Sequence, residues 1–279
     1  MRAPILCATA LLVLMVSCKK DMKSGMPVPP VTTPVNIPDN SPPRLKDMIV
    51  NRLPSPYFHF DYNDSGYITG ANWQSGLRIY DVRYSGKKIN EMENLIEPVR
   101  DKLEYVYDNG KVIQVNIINR NQVTYRKLFI RYTASNRLSR LYWEVLEAGG
   151  FSSEQILDFT YHPDGNLKEL SNTTFPVGPL IEGTVIDHFD NYDDKINADG
   201  FSLLLPPVQN HLILLPDYKL QINNPRHIVR TGSGLDYNVD YSYTYDAHGR
   251  PVSKTGDILF TTGQFTGQHF TSSTSFSWY

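Results

Sequence analysis

Apolar residues recur at alternate positions in short runs, and the runs end in tyrosine. The first is Phe58-x-Phe60-x-Tyr62; Tyr80-x-Val82-x-Tyr84, Leu103-x-Tyr105-x-Tyr107, Leu128-x-Ile130-x-Tyr132, Leu157-x-Phe159-x-Tyr161 and Tyr241-x-Tyr243-x-Tyr245 repeat it. The residues between are mostly polar: His59 and Asp61, Lys102 and Glu104, Asp158 and Thr160, Ser242 and Thr244. Successive side chains of a strand point to opposite faces, so this alternation predicts strands with one buried and one wet face.

Turn chemistry follows each tyrosine, as in Asn63-Asp-Ser-Gly66, Ser85-Gly86, Asp108-Asn-Gly110, His162-Pro-Asp-Gly165 and Asp246-Ala-His-Gly249, with Thr133-Ala-Ser-Asn136 as the variant lacking glycine. Asp and Asn start the reversal by hydrogen bonding to nearby backbone, and Gly or Asn accepts a positive φ. An apolar residue then restarts the returning strand at Ile68, Ile89, Val112, Leu138 and Leu167. The unit is a β-hairpin recurring every 22–31 residues from Tyr62 to Tyr192. The reading is all-β: an antiparallel meander of repeated hairpins that forms a curled sheet or soluble barrel. Leu45 to Leu53 supplies its first strand.

The pattern fails between Asp187 and Tyr237. Two and four residues before Tyr192 stand Asp190 and His188, which breaks the face rule. Phe201-Ser-Leu-Leu-Leu205 and Leu212-Ile-Leu-Leu215 are apolar runs cut short by prolines. Residues 198–224 therefore read as a long connection with one short helix, its leucines plugging an open end of the sheet. Long connections inside a domain are often functional, so a localised site is first sought here.

The N-terminus carries a different pattern. Met1-Arg2 precedes the apolar run Ala8–Val16, which is too short to span a bilayer and reads as a secretory signal. Met15-Val16-Ser17-Cys18 resembles the bacterial lipoprotein cleavage box, and that resemblance implies lipidation of Cys18. Seven prolines between Pro27 and Pro43 then mark an extended tether. The organisation is a signal peptide over 1–17, a lipidated Cys and Pro-rich tether over 18–44, and a single β-repeat domain over 45–279.

Composition narrows the chemistry. A net charge of −2 on 279 residues argues against nucleic acid as a partner. The two cysteines, Cys7 and Cys18, both lie in the N-terminal segment, leaving the domain without disulfide, thiolate nucleophile or Cys-based metal site. Asp187, Asp190, Asp193, Asp194 and Asp199 invite a calcium reading, but their spacing is not that of an EF-hand loop and Lys195 sits among them, so they read as a solvated turn. The seven histidines are scattered with no His-x-x-x-His pair, and His162 and His248 read as turn tips. No Gly-x-Ser-x-Gly elbow or phosphate-cradling loop occurs, and Gly232-Ser-Gly234 reads as a turn. No catalytic or metal residue and no cofactor is assigned. Trp73, off the repeat, is the candidate for surface recognition.

Tyr245-Asp246-Ala-His-Gly249-Arg250 and Tyr161-His-Pro-Asp-Gly165-Asn166-Leu167 resemble the YD repeats of Rhs-type bacterial proteins. Phe189-Asp-Asn-Tyr192-Asp-Asp-Lys-Ile-Asn197 and Ile222-Asn-Asn-Pro225 resemble recurring features of Bacteroidetes lipoproteins with a β-rich domain of unknown function, porin-like in fold. The resemblance spans about residues 45–279. It implies that fold and an envelope setting, with no activity. The expected function is a lipid-anchored, non-enzymatic binding or scaffolding module held on the outer membrane, at its periplasmic face or the cell surface, with a glycan or protein ligand. The alternatives are an envelope hydrolase using a carboxylate pair and a transmembrane pore; the polar outward positions speak against the pore.

Overall fold

The computed structural model describes residues 43–178, 180–197, 211–215 and 218–279. Residues 1–42, which include the stretch read as a signal peptide, Cys18 and most of the stretch read as a tether, lie outside these residues, as do Asp199 and the Phe201–Leu205 run. Sixteen strands form one closed antiparallel barrel in which each strand pairs with its sequence neighbours. The strands are β1 (Leu45–Val50), β2 (Phe58–Tyr62), β3 (Ile68–Trp73), β4 (Arg78–Ser85), β5 (Lys88–Asn94), β6 (Lys102–Asp108), β7 (Lys111–Ile118) and β8 (Thr124–Tyr132). The second half comprises β9 (Leu138–Glu147), β10 (Gly150–Tyr161), β11 (Leu167–Thr174), β12 (Gly183–Tyr192), β13 (Pro225–Gly232), β14 (Tyr237–Tyr245), β15 (Pro251–Phe260) and β16 (His269–Trp278). Closure comes from β1 pairing with β16, Met48 opposite Phe276 and Val50 opposite Thr274.

Six hairpins repeat one irregularity. At each turn tyrosine the ladder shifts by a residue, so that Tyr62 faces Ile68, Tyr84 faces Ile89, Tyr107 faces Val112, Tyr132 faces Leu138, Tyr161 faces Leu167 and Tyr245 faces Pro251. A bulge at a fixed place in each unit keeps both the tyrosine and the restart residue on the inner face while increasing the local twist.

The tyrosines do more than pack. Tyr62 Oη donates to the Leu45 carbonyl (2.9 Å), Tyr107 to Ile89 (2.9 Å), Tyr132 to Val112 (2.6 Å), Tyr161 to Leu138 (2.7 Å) and Tyr192 to Leu167 (2.6 Å). Tyr243 donates to Pro225 (2.9 Å), and Trp278 Nε1 takes the same role on Pro251 (2.8 Å). Each acceptor lies at the start of an odd-numbered strand, and each donor lies near the end of the even-numbered strand beside it. At this rim turns join even strands to odd ones, and the ring-to-carbonyl bonds join odd strands to even ones. Turns and staples thus alternate from β5 round to β16, with one more staple between β1 and β2, and beside the β1–β16 seam Tyr279 N donates to the Arg44 carbonyl (3.1 Å).

Tyr192 belongs to this belt although it breaks the two-and-four rule. Asn191 takes a positive φ of 53° while β12 keeps its register with β13, and the buried residue before Tyr192 is Phe189, three positions back. His188 and Asp190 face outward. In the turn after Tyr245, Asp246 Oδ1 accepts from the backbone of His248 and Arg250 (both 2.9 Å), and Oδ2 accepts from Arg250 Nε (2.7 Å). That explains the Asp and Arg of the motif, while Gly249 supplies the positive φ of 73°.

The core lies inside the barrel: Phe58, Phe60, Ile89, Leu103, Ile117, Leu128, Leu141 and Leu157 are all fully buried. Trp73 is buried there too, which overturns its reading as a surface residue: in β3 its register opposite Phe58 places it on the inner face. The outer wall is polar. Arg83 bridges Asp81 (3.0 Å), Glu91 (2.6 Å) and Glu93 (2.6 Å) across β4 and β5, Lys102 bridges Glu91 and Glu104, and Arg140 pairs with Asp158 across β9 and β10.

The connection from β12 to β13 turns back into the lumen. His211, Leu212, Ile213, Leu214 and Leu215 are buried, and Leu214 N donates to Tyr105 Oη (3.2 Å). The leucines of Leu212–Leu215 are buried as a plug, in irregular chain, while residues 198–210 and 216–217 of the stretch expected to hold a short helix lie outside the described residues. The Leu214 N–H thus finds its acceptor on a wall tyrosine instead of within the segment. The connection leaves at the tyrosine rim through Tyr218, stacked on Tyr132 at 4.6 Å, and an amide knot. There Asn166 Oδ1 accepts from Ile222 N (3.1 Å) and Asn223 N (2.9 Å), and Asp193 Oδ1 accepts from Asn224 N (3.1 Å).

Candidate functional site

Two buried polar constellations lie in the lumen, both involving the segment where the hairpin pattern fails. The first surrounds His211. Tyr125 Oη donates to Asp101 Oδ2 (2.9 Å) and lies 2.9 Å from His211 Nε2, while Tyr80 Oη lies 3.2 Å from Nδ1. With the Tyr125 proton committed to Asp101, Nε2–H donates to Tyr125 and Nδ1 accepts from Tyr80. Burial, reinforced by Arg126 and Arg78, pulls the His211 pKa down to about 3, so the ring is neutral. The same burial raises the Asp101 carboxyl. Arg126 in turn pairs with the buried Glu154 at 2.8 Å. This cluster ties the plug to the wall, with His211 and Asp101 both buried.

The second constellation borders a cavity of about 230 Å³ against β12–β15. Asp187 and Arg230 face each other across β12 and β13 and form a two-bond pair, Nε to Oδ1 and Nη2 to Oδ2, each 2.6 Å. The Arg230 guanidinium also lies over the Tyr237 ring at 5.1 Å. On β14 and β15, Lys254 Nζ sits over the Tyr241 ring at 4.8 Å, and the wall around it brings its pKa down to about 8 through burial. Burial raises the Tyr241 and Tyr243 hydroxyls, so both stay protonated. Gln221 and Pro225, from the end of the plug connection, complete the lining with Phe189, Ile228 and Val239.

Gly256 makes the Tyr241 position available. A Cβ there would stand 2.6 Å from the Tyr241 ring and 2.7 Å from Ser272 Oγ, so the ring lies across a strand position that only glycine leaves open. Asp187, expected in a solvated turn, is instead the buried member of this ion pair. Asp193 holds the amide knot through Asn224 and Tyr245. Asp190 and Asp194 lie at the surface. His248 is exposed at its turn, whereas His162 is half-buried with Nε2 3.0 Å from the Phe189 carbonyl.

Arg230, Lys254, Tyr237 and Gln221 were not singled out by sequence, and Tyr241 was read only as an inward position of the repeat. The one available signal was the inward period of Tyr241-x-Tyr243 and its strand partners; the meeting of Asp187 with a residue 43 positions away follows from the barrel register. A glycan hydrolase needs two carboxyls roughly 5–10 Å apart. Among the described residues lining the cavity Asp187 is the single carboxylate, and both its oxygens accept from Arg230. Among the described residues no group of three or more His, Cys, Asp or Glu side chains is arranged to hold a metal ion.

The fold and lumen define a class: a closed 16-stranded antiparallel barrel with a polar wall and a chain segment folded inside it. No protein-family model matches the chain, and no curated protein does. Among solved structures it is similar to a porin-like protein from Bacteroides uniformis, with a TM-score of 0.58 and 12% identity over 80% of this chain and 89% of that one. A porin-like protein from Bacteroides vulgatus is similar at a TM-score of 0.52 and 14% identity, over 79% of this chain and 92% of the other. At these identities the likeness concerns the fold, and it agrees with the β-rich, porin-like domain implied by the sequence resemblance.

Proposed function

We propose that the chain is a lipid-anchored, non-enzymatic envelope protein whose barrel is a receptacle, holding a sugar-sized, polyhydroxylated ligand in the cavity against β12–β15. The observation that carries this reading is the combination of a charged outer wall with a plugged lumen that keeps an aromatic, polar-edged cavity. At about 230 Å³ the cavity is smaller than the roughly 300–1,000 Å³ typical of drug-sized ligands, which favours a monosaccharide unit over a protein segment. Tyrosine rings offer flat apolar faces for a sugar's C–H face, and the Arg230–Asp187 pair and Gln221 offer donors and acceptors for its hydroxyls. The lipoprotein-like signal ending at Cys18 and the envelope setting implied by the resemblance support the anchoring.

Saturation-transfer NMR with neutral mono- and disaccharides tests the ligand class. A binding sugar is expected to lose at least tenfold in affinity with Tyr241→Ala and to be unaffected by Arg83→Ala on the outer wall. Absence of transfer from every sugar, or binding indifferent to Tyr241→Ala, refutes the receptacle. Anchoring is tested separately by detergent phase partition and protease shaving of intact cells with the wild type and Cys18→Ser; wild-type protein in the aqueous phase refutes the lipid anchor.

A further inference from the structure

The two rims of the barrel differ in chemistry. At the tyrosine rim the hairpin turns quoted above are built from polar residues, Gly, Ala and one Pro, with no large apolar side chain. At the opposite rim every one of the eight connections presents an exposed large apolar side chain in it or beside it. Around the ring these are Leu53, Leu77, Leu95, Val123, the flanking pair Leu146 and Phe151, Ile181, Leu235 and Phe270. They are nine of the thirteen exposed large apolar residues among those described, so the exposure is concentrated at this rim and not spread over the surface. Ile181 is 86% exposed. Phe270 is 40% exposed although its register opposite Ile258 puts it on the inner face, because it stands at the open edge of the mouth with Phe260 and Phe265, at 5.4 and 5.9 Å.

We propose that this apolar rim is a membrane-docking surface that inserts its loop tips into the interfacial layer of a lipid bilayer. Single apolar side chains scattered over a surface need no explanation, but one per connection around a closed ring does. The spacing of the points decides the occupant. A protein partner would have to match separate contacts around the whole circumference, whereas a fluid lipid surface accepts apolar tips at any spacing. Leucine, isoleucine and phenylalanine tips are the side chains that partition into the interface, with aromatic ones favoured at headgroup level.

The chain outside the barrel permits this orientation. The proposal rests on the lipid-anchor reading only here: 26 residues separate Cys18 from Leu45, a reach of up to about 80 Å when extended. Leu45 enters at the tyrosine rim, and the longest strand, with 12 residues, spans only about 40 Å. The tether therefore reaches past the barrel, and the opposite rim can meet the membrane that holds the lipid. Docking adds a second, weak attachment to the first and fixes which end of the lumen faces the lipid.

The test uses the full chain carrying Cys18→Ser, so that no lipid contributes. It is mixed with phosphatidylcholine vesicles and sedimented at low and at 0.5 M salt (about a threefold range of screening length is thereby covered). The unlipidated protein is expected to co-sediment at both salt concentrations. Adding Leu53→Ser, Leu77→Ser, Leu95→Ser and Ile181→Ser is expected to reduce the bound fraction at least tenfold. Val106→Ser with Ile222→Ser, exposed positions away from that rim, is expected to change nothing. Circular dichroism melts of each variant establish that the barrel is intact. The proposal is overturned by Cys18→Ser protein that stays in the supernatant, by binding that survives the rim serines, or by binding abolished by salt. A dimer in light scattering that the rim serines dissociate also overturns it and assigns the rim to a second copy. The lipid-anchor reading fails independently, in phase partition of wild-type protein.

Discussion

His211 is held in a state that acid opposes. Its ring is neutral because burial and the guanidinium groups of Arg126 and Arg78 depress its pKa from the usual 6.5 to about 3. In the unfolded chain the ring takes a proton below its ordinary pKa, while the folded ring does not. Its contribution to stability is therefore complete above about pH 6.5 and is lost progressively as the pH falls towards 3. Each unmatched proton costs about 1.4 kcal/mol per pH unit, and Asp101, whose carboxyl burial raises, offsets part of this by taking up a proton in the folded state. Urea midpoints between pH 7 and 4 should fall steeply for the wild type. His211→Gln, which retains an amide donor but cannot titrate, should lower stability at pH 7 and flatten the dependence. An unchanged slope in the variant would place the acid sensitivity elsewhere.

Between strands, the staple belt makes the hairpins more than a row of independent units. The Tyr132 hydroxyl bonds the Val112 carbonyl at 2.6 Å, at the point where two hairpins meet without a turn between them. Tyr132→Phe keeps the ring that stacks on Tyr218 and removes the hydroxyl that bonds the carbonyl of the buried Val112. The expected loss is about 1 kcal/mol in urea unfolding, and Tyr161→Phe, with the equivalent bond to Leu138, should match it. A loss near zero for both would reduce the belt to ring packing. The apolar-x-apolar-x-Tyr runs and their restart residues made the hairpins and their registers legible, because strand period and turn chemistry are local. The belt was not legible, since it joins residues 17–27 apart whose proximity depends on sheet curvature. Tyr192 escaped because the positive φ at Asn191 breaks the simple alternation that the two-and-four rule assumes. The plug was legible as buried leucines, but its anchor on the wall, Tyr105 Oη, was not, because that group comes from a distant strand.

At the scale of the whole molecule, the closed barrel resembles a porin in outline and reverses one in chemistry. A membrane barrel turns a continuous apolar band of about 25 Å towards lipid, and an Arg or Lys at the bilayer midplane costs roughly 2–4 kcal/mol. Here the outward positions of β4–β6 carry Arg83, Glu91, Glu93, Lys102 and Glu104, those of β9 and β10 carry Arg140 and Asp158, and those of β13–β16 carry His227, Asp240, Asp257 and His269. The charges occur on several sides of the barrel, so no tilt would hide them, and seating several of them in hydrocarbon costs more than the whole stability of a typical domain. The inner face carries the apolar side chains instead, and Leu212–Leu215 fill part of the space that a conducting barrel leaves to water. Purified protein added to planar bilayers should therefore give no stepwise conductance, and the Cys18→Ser form should partition into the aqueous phase of a detergent separation. Deleting residues 198–215 should not create a channel either, because the obstacle to spanning is the wall and not the plug. Single-channel steps from either form would mean that the strands turn their charged face to a surface other than water.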